Sequence, residues 1–146
     1  MKKPVTWFLL ADGARARVMT REDSHTSYKL VFSEDSSNMH ARSHDLGSDR
    51  PGHGQESANS AHHAIEPRQD PHRAEEDKFI RTVASYINGE AGKNSFDRLV
   101  IYAAPHVLSM LRKELDATAT KKILGEYHKD LTKVPVADLP SHFGTA

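Results

Sequence analysis

Apolar residues recur along this chain in two rhythms, and the change from one to the other separates strands from helices. Val5-Thr6-Trp7-Phe8-Leu9-Leu10-Ala11 is nearly unbroken in apolar character, which predicts a central strand covered on both faces. Asp12-Gly13 follows as a hairpin turn in which glycine tolerates positive φ. Ala14 to Thr20 then alternates, placing Arg15 and Arg17 on one face of a second strand and Ala14, Ala16 and Val18 on the other. One face is therefore core and the other cationic. Tyr28 to Phe32 makes a third strand.

The helical rhythm begins past Asp70-Pro71. From about His72 to Asn88, Phe79, Ile80, Val83, Ala84 and Ile87 recur at spacings of three and four, with Glu75, Glu76 and Asp77 in the first turns and Gly89 as the stop. Asp97 to Ala103 reads as another buried strand. Pro105 opens a second helix through Val107, Leu108, Leu111 and Leu115. Ala117 to Leu124 predicts a short helix, Gly125 to Lys129 an edge strand, and Val136 to Phe143 a final helical turn or two. Strand, helix and strand in succession imply a parallel crossover. The order predicts an α/β domain with a mixed five-stranded sheet and flanking helices, of the ribonuclease H-like kind.

Between strand 3 and helix 1, residues 34–71 break both rhythms. No lysine and almost no large apolar residue occurs from Glu34 to Asp70, and Pro51-Gly52-His53-Gly54-Gln55 sits at the centre. A stretch this long inside a compact domain reads as a flexible loop that is either functional or simply disordered. The remaining hundred or so residues suffice for one modest core, so residues 1–146 are expected to form a single domain. The hydrophobic fraction of 37% is low only because of the loop. Lys and Arg total 20 against 20 Asp and Glu, so no global field draws in nucleic acid and any RNA contact must be local. Cysteine is absent, which excludes disulfides and thiolate zinc sites. The basic amino terminus leads into a short buried strand instead of a signal peptide, and no stretch is apolar enough to span a bilayer. The expectation is a cytoplasmic protein without membrane insertion.

Candidate chemistry concentrates in and around the loop. His40, His44, His53, His62, His63 and His72 fall in or beside it, but closeness in sequence does not bring ligands together, and no metal site is expected. His63, Glu66, Asp70 and His72 are candidates for tying the loop end to helix 1, with Asp70 before Pro71 suited to cap it. Arg15 and Arg17 are placed to follow a phosphate backbone from an open sheet face, or to form cross-strand ion pairs there. Asp12 and Asp97 would be the carboxylates of a nuclease, yet one follows its strand and the other begins its own, which sets them far apart.

Six motifs in order carry a resemblance: Ala11-Asp12-Gly13-Ala14-Arg15-Ala16-Arg17, Asp49-Arg50-Pro51-Gly52, Glu66-Pro67 with Asp70-Pro71-His72, Phe96-Asp97-Arg98-Leu99-Val100, Ala104-Pro105, and Lys129-Asp130-Leu131-Thr132. Together they resemble the bacterial host attachment protein family over almost the whole chain. That family name records a phenotype and no chemistry. More distantly the chain is similar to the middle domain of class-1 peptide release factors of archaea and eukaryotes, where a Gly-Gly-Gln loop precedes a long helix. This likeness implies catalytic roles for Gly54 and Gln55: close backbone approach to an ester, an oxyanion donor in the Gln55 amide, and a side chain that places water. His53 stands where that pattern has a glycine, and no stop-codon-reading domain is present. The resemblance further implies RNA or the ribosome, or a protein partner not identified by sequence, contacted by Arg15, Arg17, Arg50, Gly52 and His53. No cofactor is implied. The expected role is a non-enzymatic cytoplasmic interaction module, with peptidyl-tRNA hydrolysis or attachment at the cell surface as alternatives.

Overall fold

A computed structural model describes residues 3–22, 27–37 and 71–143. Five strands, β1 (Val5–Ala11), β2 (Arg15–Glu22), β3 (Lys29–Asp35), β4 (Arg98–Ala103) and β5 (Ile123–Tyr127), form one sheet in the order β3-β2-β1-β4-β5. β2 runs antiparallel to both β1 and β3, whereas β1, β4 and β5 are parallel. The mixed five-stranded sheet predicted from the rhythm of the sequence is thus present, with β1 at its centre. β3 continues through Asp35, so the strand takes in the first two residues assigned from sequence to the loop.

Helices α1 (Pro71–Gly92), α2 (Pro105–Glu114) and α3 (Ala117–Lys121) cover one face. There Phe79, Ile80, Val83 and Ile87 of α1 and Val107, Leu108 and Leu111 of α2 close over Trp7, Leu9, Val18, Leu99 and Ile101. Trp7 stacks on Phe96 at 4.7 Å, and Phe32 on Tyr86 at 4.1 Å. Asn88 ties α1 to the α2–α3 corner, donating from Nδ2 to the Glu114 carbonyl at 3.1 Å and accepting from the Asp116 amide at 2.9 Å. Asp116 in turn caps α3 through the Ala119 amide.

One expectation about α1, its stop at Gly89, needs correction. The helix passes through Gly89 and ends at Gly92, because the chain turns at Asn94, whose φ of 58° lies in the left-handed region. The Ser95 amide then bonds the Glu90 carbonyl and the Asn94 amide the Ala91 carbonyl, satisfying two of the carbonyls that the helix end leaves over. Glu75, Glu76 and Asp77 lie in the second turn of α1, the first turn holding no acid.

The opposite face is closed by the C-terminal segment, called the strap below, which ends in a 3-10 helix (Val136–His142). Leu131, Leu139 and Phe143 bury Phe8, Leu10, Met19, Val100 and Tyr102. Phe143 stacks on Phe8 at 4.3 Å and meets Tyr28 and Tyr102 at 5.4 and 5.5 Å. The sequence offers this side as an open cationic face, and the strap covers it. Both edge strands carry one extra residue, Val31 between the partners of Val18 and Met19, and Leu124 between those of Leu99 and Val100. Each bulge exposes its apolar side chain and breaks the edge against further strand pairing. Among the described residues, no helix is long and apolar enough to cross a membrane.

Candidate functional site

Because β1, β4 and β5 are parallel, their carboxyl ends share one end of the sheet, the usual place for ligands in open α/β sheets. Three of the motifs singled out in the sequence meet there: the turn after β1, the start of α2 at Pro105, and Asp130-Leu131-Thr132 at the start of the strap.

Asp12 builds the turn. Its Oδ1 accepts from the amides of Ala14 at 2.8 Å and Arg15 at 2.6 Å, and its own amide donates to the Arg15 carbonyl at 2.9 Å. A side-chain acceptor at this position makes positive φ unnecessary, and Gly13 does not adopt it, contrary to the sequence expectation. Space explains the glycine instead. A Cβ at Gly13 would stand 2.6 Å from Cδ of Glu76, so the residue admits the Glu76 side chain of α1 to the turn.

The second carboxylate oxygen of Asp12 faces the strap. Thr132 Oγ1 lies 3.0 Å from Asp12 Oδ2 and 2.6 Å from Asp130 Oδ1, and the Thr132 amide donates to the same Asp130 oxygen at 2.9 Å. One hydroxyl hydrogen is therefore shared between two carboxylates, with Asp130 the nearer acceptor. Thr132 itself is buried. Partial desolvation of Asp130 works against its ionisation, but the Thr132 hydroxyl and amide, with the charges of Lys133 and Arg15, outweigh it and hold the carboxyl below its ordinary pKa. Arg15 also pairs with Asp12 Oδ2 at 3.6 Å while about half its side chain stays in solvent.

Arg17 lies one step inward, opposite Leu10. One terminal nitrogen donates to the carbonyls of Leu131 at 2.6 Å and Val134 at 2.7 Å, gripping the strap on both sides of its turn. Burial lowers the guanidinium pKa, and Nε is buried with no hydrogen-bond partner among the described residues.

Of the residues proposed from sequence, Arg15 and Arg17 thus meet at this end. Arg50, Gly52, His53, Gly54, Gln55, His63, Glu66 and Asp70 lie outside the described residues, and of His72 the helical backbone alone is described. Asp12 and Asp97 stand at opposite ends of the sheet as expected, Asp97 bonding the Val5 amide at 2.8 Å. Sequence reasoning missed Asp130, Thr132 and Glu76 as site residues. The Asp-Leu-Thr spacing does carry a local clue, an aspartate capping the amide two residues on.

Fold and site together define an α/β domain whose C-terminal strap is latched onto the first turn of its sheet by two carboxylates and a hydroxyl. Over residues 7–143 the chain matches the family described as "Protein required for attachment to host cells", and it belongs to that family. No curated protein matches it.

Proposed function

We propose that this member of the host attachment family is a non-enzymatic, cytoplasmic interaction module that associates with RNA or the ribosome. The observation that carries this reading is how the polar groups at the carboxyl end of the sheet are used. Asp12 accepts two turn amides and the Thr132 hydroxyl, Asp130 accepts both donors of Thr132, and Arg17 is committed to two strap carbonyls. These are fastenings. The Asp130 carboxylate, held in its ionised form by the Thr132 donors, is poorly suited to act as a general acid. Around the latch, Arg15, Lys129 and Lys133 are exposed, which suits contact with a polyanion.

Strand order supports the finer reading of the fold. Three parallel strands flanked on one side by an antiparallel pair, in the order β3-β2-β1-β4-β5, agree with a ribonuclease H-like sheet and with the likeness to the release factor middle domain. That likeness extends to binding without carrying the chemistry with it, so Gln55 has no catalytic role in this reading.

The test is sedimentation of tagged protein from cell lysate through a sucrose gradient, with and without ribonuclease, beside fractionation of whole cells. Co-migration with ribosomes or RNA, lost on ribonuclease treatment and unchanged by Gln55→Ala, is the expected result. Protein that stays at the top of the gradient, or collects in the surface fraction, would overturn the reading. Release of peptide from peptidyl-tRNA that fails in Gln55→Ala would replace it with the hydrolase.

A further inference from the structure

Tyr127 ends β5 with 41% of its surface exposed, and its ring is partly held. It stacks on Tyr102 with centroids 5.1 Å apart and planes within 22°. Gly125 leaves room for it: a Cβ there would lie 3.2 Å from the ring. An exposed tyrosine normally samples several rotamers, and fixing it costs entropy. Here the contact with Tyr102 limits that freedom while 41% of the residue stays in solvent.

Cations follow directly from that ring. The Lys129 amide donates to the Tyr127 carbonyl at 3.0 Å, turning the chain across the end of the sheet. His128, Lys129 and Lys133 are exposed along this path, and Arg15 stands at its far side. Cross-strand register links Tyr127 to Tyr102, Tyr102 to Leu10 and Leu10 to Arg17, so three strand spacings, about 14 Å, separate Tyr127 from Arg17, and Arg15 stands two residues further along β2. Acids stand among these cations: Asp12 and Asp130 share the Thr132 hydroxyl and lie within the fields of Arg15 and Lys133, Glu76 reaches the turn at Gly13, and Glu126 pairs with Arg112.

A stacked aromatic face beside a line of lysine and arginine is the chemistry that binds single-stranded nucleic acid, by stacking one base and following its backbone. An acidic protein segment would use the cations but gain little from the ring. We infer that Tyr127 is the base-stacking residue of a single-stranded RNA site at the carboxyl end of the sheet, with Arg15, Lys129 and Lys133 as its phosphate contacts. This inference rests on the RNA-associated reading above and assigns it a place.

Fluorescence anisotropy with a short labelled single-stranded RNA tests it on the full chain. Tyr127→Ala is expected to weaken binding about tenfold, and Tyr127→Phe to stay within about twofold of wild type. Tyr127→Leu, which still covers Tyr102, should resemble the alanine variant and so separates stacking from packing. Each of Lys129→Ala and Lys133→Ala should lower the slope of log K against log salt by about 0.7. Wild-type affinity in both Tyr127→Ala and Tyr127→Leu would overturn the site, as would competition by an acidic peptide as effective as by RNA. If such variants still sediment with ribosomes, the site alone fails. If wild type neither binds the RNA nor sediments with ribosomes, the functional reading fails with it.

Discussion

The two faces of the sheet are covered by different means. Among the described residues, the helix-covered face buries a cluster of 20 apolar side chains, and the strap-covered face a cluster of 8. The larger cluster can hold itself by packing, because each side chain touches several others. A short strap buries too little apolar area to hold itself this way and is pinned at points: Arg17 to two carbonyls, Thr132 to two carboxylates, Phe143 to Phe8. The polar pins lie at the carboxyl end of the sheet, so fastening and candidate binding surface lie side by side there.

That difference is most directly tested by removing one large ring from each face. Phe96→Ala is expected to lower global stability by about 3–5 kcal/mol, since a fully buried ring leaves a cavity against Trp7. The sole tryptophan, Trp7, reports on this face through its fluorescence during urea unfolding. Phe143→Ala should move the Trp7 transition less, because the strap can detach while the helix face stays packed. Hydrogen exchange should then accelerate over Leu131 to Phe143 and remain slow in β1 and α1. Equal shifts of the Trp7 transition in the two variants would show one cooperative unit and break the comparison.

Arg17→Met comes next in size. It keeps much of the buried stem but removes both bonds to the strap, with an expected loss of about 1.5–3 kcal/mol by urea denaturation. Lysine in its place should restore only part, because its shorter side chain does not carry the ammonium to where the Arg17 terminal nitrogen stands. A methionine variant as stable as wild type would mean that apolar packing holds the strap by itself.

Much of this architecture was legible in the sequence. The unbroken apolar run of β1, the alternation in β2 and the spacing of Phe79, Ile80, Val83 and Ile87 each encode burial locally, and periodicity reads local burial well. Element ends were less legible. Asn94, and not Gly89, stops α1, because a helix ends where tertiary contacts let the chain turn, and a lone glycine inside it is tolerated. The site was half legible. Asp12-Gly13 announces a turn, but the bond from Asp12 to Thr132 joins residues 120 apart in sequence, and no local pattern encodes such a pairing. The same holds for Arg17. Alternation gives its face correctly, yet whether that face is open depends on where the strap docks, which no pattern within β2 encodes.

Thr132→Val separates the latch from the packing around it with the smallest structural change, replacing the hydroxyl by a methyl of similar shape. It should cost about 1–2 kcal/mol near neutral pH, because Asp12 and Asp130 lose their shared donor and then face each other. The pH dependence of that loss identifies its source. In wild type the folded pKa of Asp130 lies below its unfolded value of about 3.9, so its contribution is complete above that value and disappears as pH falls through the folded pKa. Glu90 is also lowered, chiefly by its bond from the Ser95 hydroxyl and then by Lys93, but it belongs to α1 and contributes equally to both proteins. The stability gap between wild type and Thr132→Val should therefore be constant near neutrality and narrow as the pH falls below about 4. Urea midpoints measured down that range give the answer. A gap that does not narrow would assign the cost of the valine to packing, and the strap would then be held as the helix face is, by apolar contact alone.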